Sequence, residues 1–334
     1  MKKKYLNILL IIVITIIILY LSLKDNYREI MSLLLSADIR WLFVGYLLVL
    51  SYTFLKSIVT YDIIIQFKPY EILKTFKLQM VTFFFNAITP FSTGGQPFQI
   101  YSLKKNGLKL SDGTNVIVQE SIIHQLAIIL IGFLALILNL FLNICDINSV
   151  LFWLLLTGFL LNVGVLIILF IVSYKKNFNQ FLINFGIKIL IKLKLIKDKE
   201  KTINKWNDGI ESFSEGSKSL LISKKRFIKL ILINCLALVS LYIVPLLILF
   251  SLGNFTYFNG IDAVVMISFV SIISVYVPLP GGIGGQEYLF LLFFGTYLID
   301  PLLGSVMILW RFLTYYFPLI IGGILFNIKD RKIV

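Results

Sequence analysis

The sequence predicts an all-α polytopic membrane protein with about six full transmembrane helices and two glycine-broken re-entrant hairpins in an inverted-repeat arrangement. Three observations carry that prediction. The mean hydropathy is +0.92, with 58% hydrophobic and 14% charged residues, against roughly a quarter charged in soluble domains. Apolar runs of the ~20 residues needed to cross a bilayer recur along the chain, separated by lysine-rich segments. A short motif also returns: Pro90-Phe-Ser-Thr-Gly-Gly-Gln96 and Pro280-Gly-Gly-Ile-Gly-Gly-Gln286 both read Pro-x-x-x-Gly-Gly-Gln.

Taken in order, Lys2 to Lys4 hold the start of a first span at residues 5–23 in the cytoplasm. The run is too long for a signal peptide and no small-residue cleavage site follows it. Lys24 to Arg40 then lie outside, and a second span, about Trp41 to Ile65, returns the chain to Lys68, Lys74 and Lys77. The next apolar stretch, about Leu78 to Ile88, is short for a crossing. It is expected to dip in, break at Pro90, Gly94 and Gly95, and re-emerge on the same side at Lys104, Lys105 and Lys109. Spans at 115–143 and Val150–Ser173 follow. Residues 174–229 carry 14 Lys or Arg against 5 Asp or Glu, which marks a cytoplasmic loop. Its Phe178–Leu195 part fits either an amphipathic surface helix or a solvated connector. The second half spans Phe227–Phe250, with a kink expected at Pro245. It then enters at 263–279, breaks at Pro280, Gly281, Gly282, Gly284 and Gly285, and leaves at 287–299. A last span, Leu302–Phe326, ends at Lys329, Arg331 and Lys332. One integral-membrane domain over 1–334 is expected, with a first half of about 1–173, a basic loop at 174–226 and a second half of about 227–334. Both termini are expected inside. The two breaks enter from opposite sides, as in inverted-repeat transporters.

Backbone freed by glycine and proline at membrane depth survives only when it is packed in protein or faces a wet cavity. The breaks are therefore candidate parts of a transport-type site. Gln96 and Gln286 follow the Gly-Gly pairs at the amino ends of half-helices, where unpaired N–H groups and the helix dipole suit an anionic headgroup. Glu120 and His124 share one face of the third full span at i and i+4. Arg311, ten residues into the last span, requires a partner, with Glu120 or Glu287 the expected one. Interfacial placement of Glu120 and a purely structural ion pair are the competing readings. Tyr101, Tyr276 and Tyr288 are further candidates for the lining. The two cysteines and single histidine form no metal set, and no Ser-His-Asp set or nucleotide loop is present. No catalytic residue, metal or cofactor is expected. The net charge of +14 is explained by topology and anionic lipid rather than by nucleic acid.

Thr89-Pro-Phe-Ser-Thr-Gly-Gly-Gln-Pro97, Gln119-Glu-Ser-Ile-Ile-His124, Pro278-Leu-Pro-Gly-Gly-Ile-Gly-Gly-Gln-Glu287 and Trp310-Arg-Phe312 together resemble the lysylphosphatidylglycerol synthase transmembrane family, over nearly the whole chain. That flippase-like domain also stands at the amino end of the bacterial multiple peptide resistance factor. The resemblance implies translocation of an anionic or aminoacylated phospholipid, phosphatidylglycerol or its lysyl form, in the plasma membrane, with resistance to cationic antimicrobial peptides as the outcome. In the full-length relatives a soluble domain transfers lysine from lysyl-tRNA to the lipid. This chain ends at Val334, a few residues past the last span, so a separate soluble aminoacyltransferase is the expected partner. Two alternatives stand beside the flippase: a phosphatidylglycerol lysyltransferase, for which lysyl-tRNA would be a substrate, and a membrane scaffold without transport.

Overall fold

The computed structural model describes residues 27–175, 223–255, 258–274, 277 and 279–328. The described residues form helices and contain no strand. Helices α1 (Tyr27–Ser36) and α2 (Ile39–Ile64) lead into α3 (Ile72–Ala87), a 3₁₀ turn at Pro90–Ser92, and α4 (Gly95–Lys105). Helices α5 (Leu110–Leu142) and α6 (Ser149–Tyr174) complete the first part. The second part runs through α7 (Lys224–Tyr242), α8 (Val244–Ser251) and α9 (Gly260–Ile273) to a 3₁₀ turn at Pro280–Gly282. Helices α10 (Gly285–Phe294), α11 (Leu302–Arg311) and α12 (Phe317–Asn327) follow, the last two joined by a π turn at Phe312–Tyr316.

Five helical runs are long and apolar enough to cross a membrane: Ile39–Ile64, Leu110–Leu142, Ser149–Tyr174, Lys224–Ser251 and Leu302–Asn327. They correspond to five of the six expected spans. The sixth, at residues 5–23, lies outside the described residues, as do the Phe178–Leu195 segment and the terminal Lys329, Arg331 and Lys332. The expected kink near Pro245 is present as the break between α7 and α8 at Ile243.

The 33 residues of α5 reach about 50 Å at 1.5 Å per residue and serve as a ruler. Near its start, a Cβ on Gly113 would lie 3.7 Å from Leu103 of α4. Farther along, Gly132 meets Ile272 at the inner end of α9, so Gly132 to Leu142 run on toward the outer end of α9. The first hairpin, α3–α4, closes on itself: the Phe85 and Phe98 rings stack at 4.5 Å, and Lys68 Nζ just before α3 donates to Asn106 O just after α4, at 3.1 Å. The second hairpin, α9–α10, closes through Phe258, whose ring lies 5.4 Å from Phe294 and 6.0 Å from Tyr297. The hairpins thus enter from opposite ends of the bundle, and their 3₁₀ turns pack against each other in the middle.

Helix α2 is the hub. It packs against α3, α5, α7 and α8 through a stripe of small and β-branched residues, Gly45, Val49, Thr53 and Ser57, spaced four apart and buried. Without a hydrophobic drive between helices in lipid, such small-residue stripes let backbones approach and gain contact energy. Helix α12 approaches α3 by the same device: a Cβ on Gly322 would sit 2.4 Å from Met80 O.

Within Lys24 to Arg40, expected to lie outside, Tyr27–Ser36 is helical and buries Ile30 against Gly304 of α11. One boundary differs from the sequence expectation. The first half-helix was expected to begin near Leu78, because Lys74 and Lys77 read as loop residues. It begins at Ile72, since Lys74 pairs with Glu71 and Lys77 Nζ donates to Ile328 O at the end of α12. The resulting 16 residues reach about 24 Å, still less than a ~30 Å hydrocarbon core.

Candidate functional site

The two Pro-x-x-x-Gly-Gly-Gln turns share backbone geometry where their sequences differ. Phe91 and Gly281, each directly after the proline, adopt φ/ψ of 54°/17° and 61°/13°. The next residues, Ser92 and Gly282, have φ of 52° and 65°. Left-handed backbone is free for glycine but costs about 1–2 kcal/mol for an ordinary residue, so Phe91 and Ser92 are held there by their surroundings. The turns diverge two positions on, with φ of −74° at Gly94 and 87° at Gly284.

Side chains close the helix starts beyond each turn. Gly94 N–H donates to Thr89 Oγ1 at 2.8 Å, and Gly95 N–H to Asn86 Oδ1 at 2.8 Å. Gly284 N–H donates to Glu287 Oε2 at 2.7 Å. The amides at Gly94, Gly95 and Gly284, expected to await a ligand, are therefore spent internally. The glycines serve a packing need instead: a Cβ on Gly95 would lie 2.4 Å from Asn86 Oδ1, and one on Gly281 2.2 Å from the Tyr315 ring. Tyr315 OH also donates to Ala87 O at 3.0 Å, tying the last span to the tip of the first hairpin.

Two ion pairs flank the tips, one buried on both sides and one with a part-exposed lysine. Arg311 Nε and Nη2 donate to Glu287 Oε1 and Oε2 at 2.7 and 2.8 Å, a bidentate fork. Its Nη1 donates to Gln286 Oε1 at 2.9 Å, and both charged residues are 5% exposed. Arg311 ends α11 immediately before the π turn, a feature common at functional positions. Pro318, two residues past that turn, lacks the N–H that a regular helix would use there.

The second pair joins Lys56 of α2 to Glu120 of α5, Nζ to Oε1 at 3.6 Å. Gln79 Nε2 of α3 donates to Glu120 Oε1 at 2.9 Å and to Thr60 Oγ1 at 2.7 Å, while Gln99 Nε2 of α4 donates to Glu120 Oε2 at 3.4 Å. One carboxylate thus gathers both arms of the first hairpin and two full spans. His124 Nδ1 lies 3.0 Å from Asn234 Oδ1 of α7.

Between the pairs lies a cavity of about 370 Å³. Lys56, His124 and Arg311 line it, together with Gln79, Asn86, Ser92 and Gln286, and with Tyr52, Tyr242 and Tyr315. Ser92 and Gly281 bring one residue from each turn to the wall. Glu120 and Glu287 stand behind their cations and are not part of the lining among the described residues.

The sequence-chosen residues therefore divide. Arg311, Gln286 and Glu287 come together; Glu120 and His124 reach the same region from α5; and the partner of Arg311 is Glu287. Gln96, expected at the headgroup site, is exposed and outside the lining, while Gln99, one turn on, donates to Glu120. Tyr101 and Tyr288 are also exposed and contribute nothing to the lining, while Tyr276 lies outside the described residues. Sequence reading missed Lys56, although a lysine in the middle of an apolar run is itself a signal. It also missed Gln79 and Asn86, which lie in a helix read as an apolar dip.

A family model described as lysylphosphatidylglycerol synthase TM region matches residues 7–322, nearly the whole chain. No curated protein matches it.

Proposed function

Since the chain belongs to the family of lysylphosphatidylglycerol synthase transmembrane regions, we propose that it moves an anionic or aminoacylated phospholipid headgroup across a cell membrane. The observation that carries this reading is the polar cavity between the tips of two hairpins that enter from opposite ends, with Lys56 and Arg311 in its wall. Helical hairpins broken at the bilayer midplane are the architecture of alternating access. Cations held in place by carboxylates supply hydrogen-bond donors for a lipid phosphate without loose side chains. In this reading the end bearing Lys68, Lys77, Lys104 and Arg226 faces the cytoplasm, and the membrane is the plasma membrane.

The test is leaflet exchange of fluorescent phosphatidylglycerol and lysylphosphatidylglycerol in vesicles containing the purified protein, with Lys56→Gln and Arg311→Ala alongside. Exchange above empty vesicles, lost in both variants, is expected. No exchange of either lipid refutes the proposal. New lysylphosphatidylglycerol formed when lysyl-tRNA is added would indicate a transferase instead.

A further inference from the structure

We infer that the cavity selects lipids whose headgroup carries a phosphate and hydroxyls but no ammonium, and that it discriminates against aminoacylated lipid. The inference rests on the transport reading and narrows its substrate class. Every ionisable group in the lining other than the tyrosine hydroxyls is a base: Lys56, Arg311 and His124. Among the described residues no carboxylate lines the space; Glu120 and Glu287 lie outside the lining, each paired with a cation of the wall. The amide oxygens of Asn86 and Gln286 already accept bonds from Gly95 N–H and Arg311 Nη1.

Lysine carries three N–H donors and Lys56 has one carboxylate in reach, so donors remain to meet a phosphate oxygen. The hydroxyls of Ser92 and Ser271 can bond a glycerol group, and those of Thr53 and Thr314, whose protons go to Val49 O and Trp310 O, can accept from it. A lysyl headgroup adds two amines to the single phosphate, for a net charge of about +1 near neutral pH. Its ammonium groups would meet two cations whose carboxylates are already committed to them, with no further carboxylate among the described residues of the wall to pair with.

The experiment compares exchange of dioleoyl phosphatidylglycerol, its lysyl ester and zwitterionic dioleoyl phosphatidylethanolamine in proteoliposomes of the full chain. Phosphatidylglycerol is expected to cross about tenfold faster than the lysyl ester, an affinity difference of about 1.4 kcal/mol if binding sets the rate, and phosphatidylethanolamine is expected to lag as well. Asn86→Asp keeps the acceptor for Gly95 N–H while placing a carboxylate in the wall, so the ratio should fall several-fold. Ser274→Asp, on the opposite hairpin, is a second variant should the first fail to fold. Lysyl ester crossing as fast as phosphatidylglycerol in the unaltered protein overturns the inference while leaving transport intact. If neither lipid crosses, the transport reading fails, and selectivity is read from equilibrium binding in detergent by native mass spectrometry. About tenfold preferential retention of phosphatidylglycerol then supports the inference, and equal or reversed retention overturns it.

Discussion

The Arg311–Glu287 pair makes a strong energetic prediction because both groups are buried and share few other partners. Glu287→Ala removes two charge-assisted hydrogen bonds to Arg311 at 2.7 and 2.8 Å and the acceptor of Gly284 N–H. Removing one member of a buried pair costs about 3–5 kcal/mol, because it leaves the other charge uncompensated. The lost cap adds about 1 kcal/mol. Arg311→Leu leaves Glu287 stranded and costs a similar amount. In the double variant no charge remains and the stranding penalty vanishes, so its loss falls short of the sum of the singles by about 3 kcal/mol, at the upper end of measured couplings. In an SDS-titration unfolding assay in mixed micelles, that coupling is a factor of about 150 in the unfolding equilibrium. Additivity within about 0.5 kcal/mol would show that the pair is solvated in the membrane-bound protein and refute the reasoning.

The remaining predictions concern the turns, the hub contacts and the acid of the first pair. Phe91→Gly relieves a left-handed non-glycine residue whose side chain is exposed; a gain of about 0.5–1 kcal/mol is expected, seen as a raised thermal midpoint, and a lowered midpoint contradicts the strain. Gly322→Ala forces a Cβ to 2.4 Å from Met80 O, whereas Gly323→Ala meets only ring carbons of Phe84 at 3.2 and 3.3 Å. The first should lose about 1–3 kcal/mol and the second clearly less, by the same thermal assay. Gln79→Leu strips Glu120 and Thr60 of a donor and should cost about 1–3 kcal/mol. Pairing it with Glu120→Leu, which removes the orphaned charge, should cost less than the sum of the two single changes.

Much of the fold was legible because membrane insertion imposes one rule per span. Length and lysine placement located the five spans seen among the described residues, and the repeated Pro-x-x-x-Gly-Gly-Gln located both turns. Lysine placement alone predicted hairpins of opposite orientation, and the contacts of Lys68 with Asn106 and of Phe258 with Phe294 and Tyr297 agree. What escaped was set by tertiary partners. Lys74 and Lys77 resembled loop residues because their counterparts, Glu71 and the carbonyl of Ile328, only meet them in the folded bundle. Gln99, one turn past Gln96, lies on the face turned toward α5 and reaches Glu120, a contact no spacing in the sequence announces. The amides at Gly94, Gly95 and Gly284 do not await an anion because Thr89, Asn86 and Glu287 satisfy them, and those side chains come from neighbouring turns that only the folded backbone brings near.

The two halves repeat a backbone while exchanging the signs of their charges. Gln96 and Gln286 are 190 positions apart, since 286 − 96 = 190. The same offset carries Glu120 of α5 to Trp310, one residue before Arg311 of α11. Each span that follows a hairpin thus brings a charge to the level of the tips, an acid in the first half and a base in the second. The acid of α5 draws its cation from α2, and the base of α11 draws its anion from the hairpin beside it. Both cations consequently face the cavity and both carboxylates face away. The result is a wall with two cations and, among the described residues, no carboxylate, between the tips of two hairpins that enter from opposite ends.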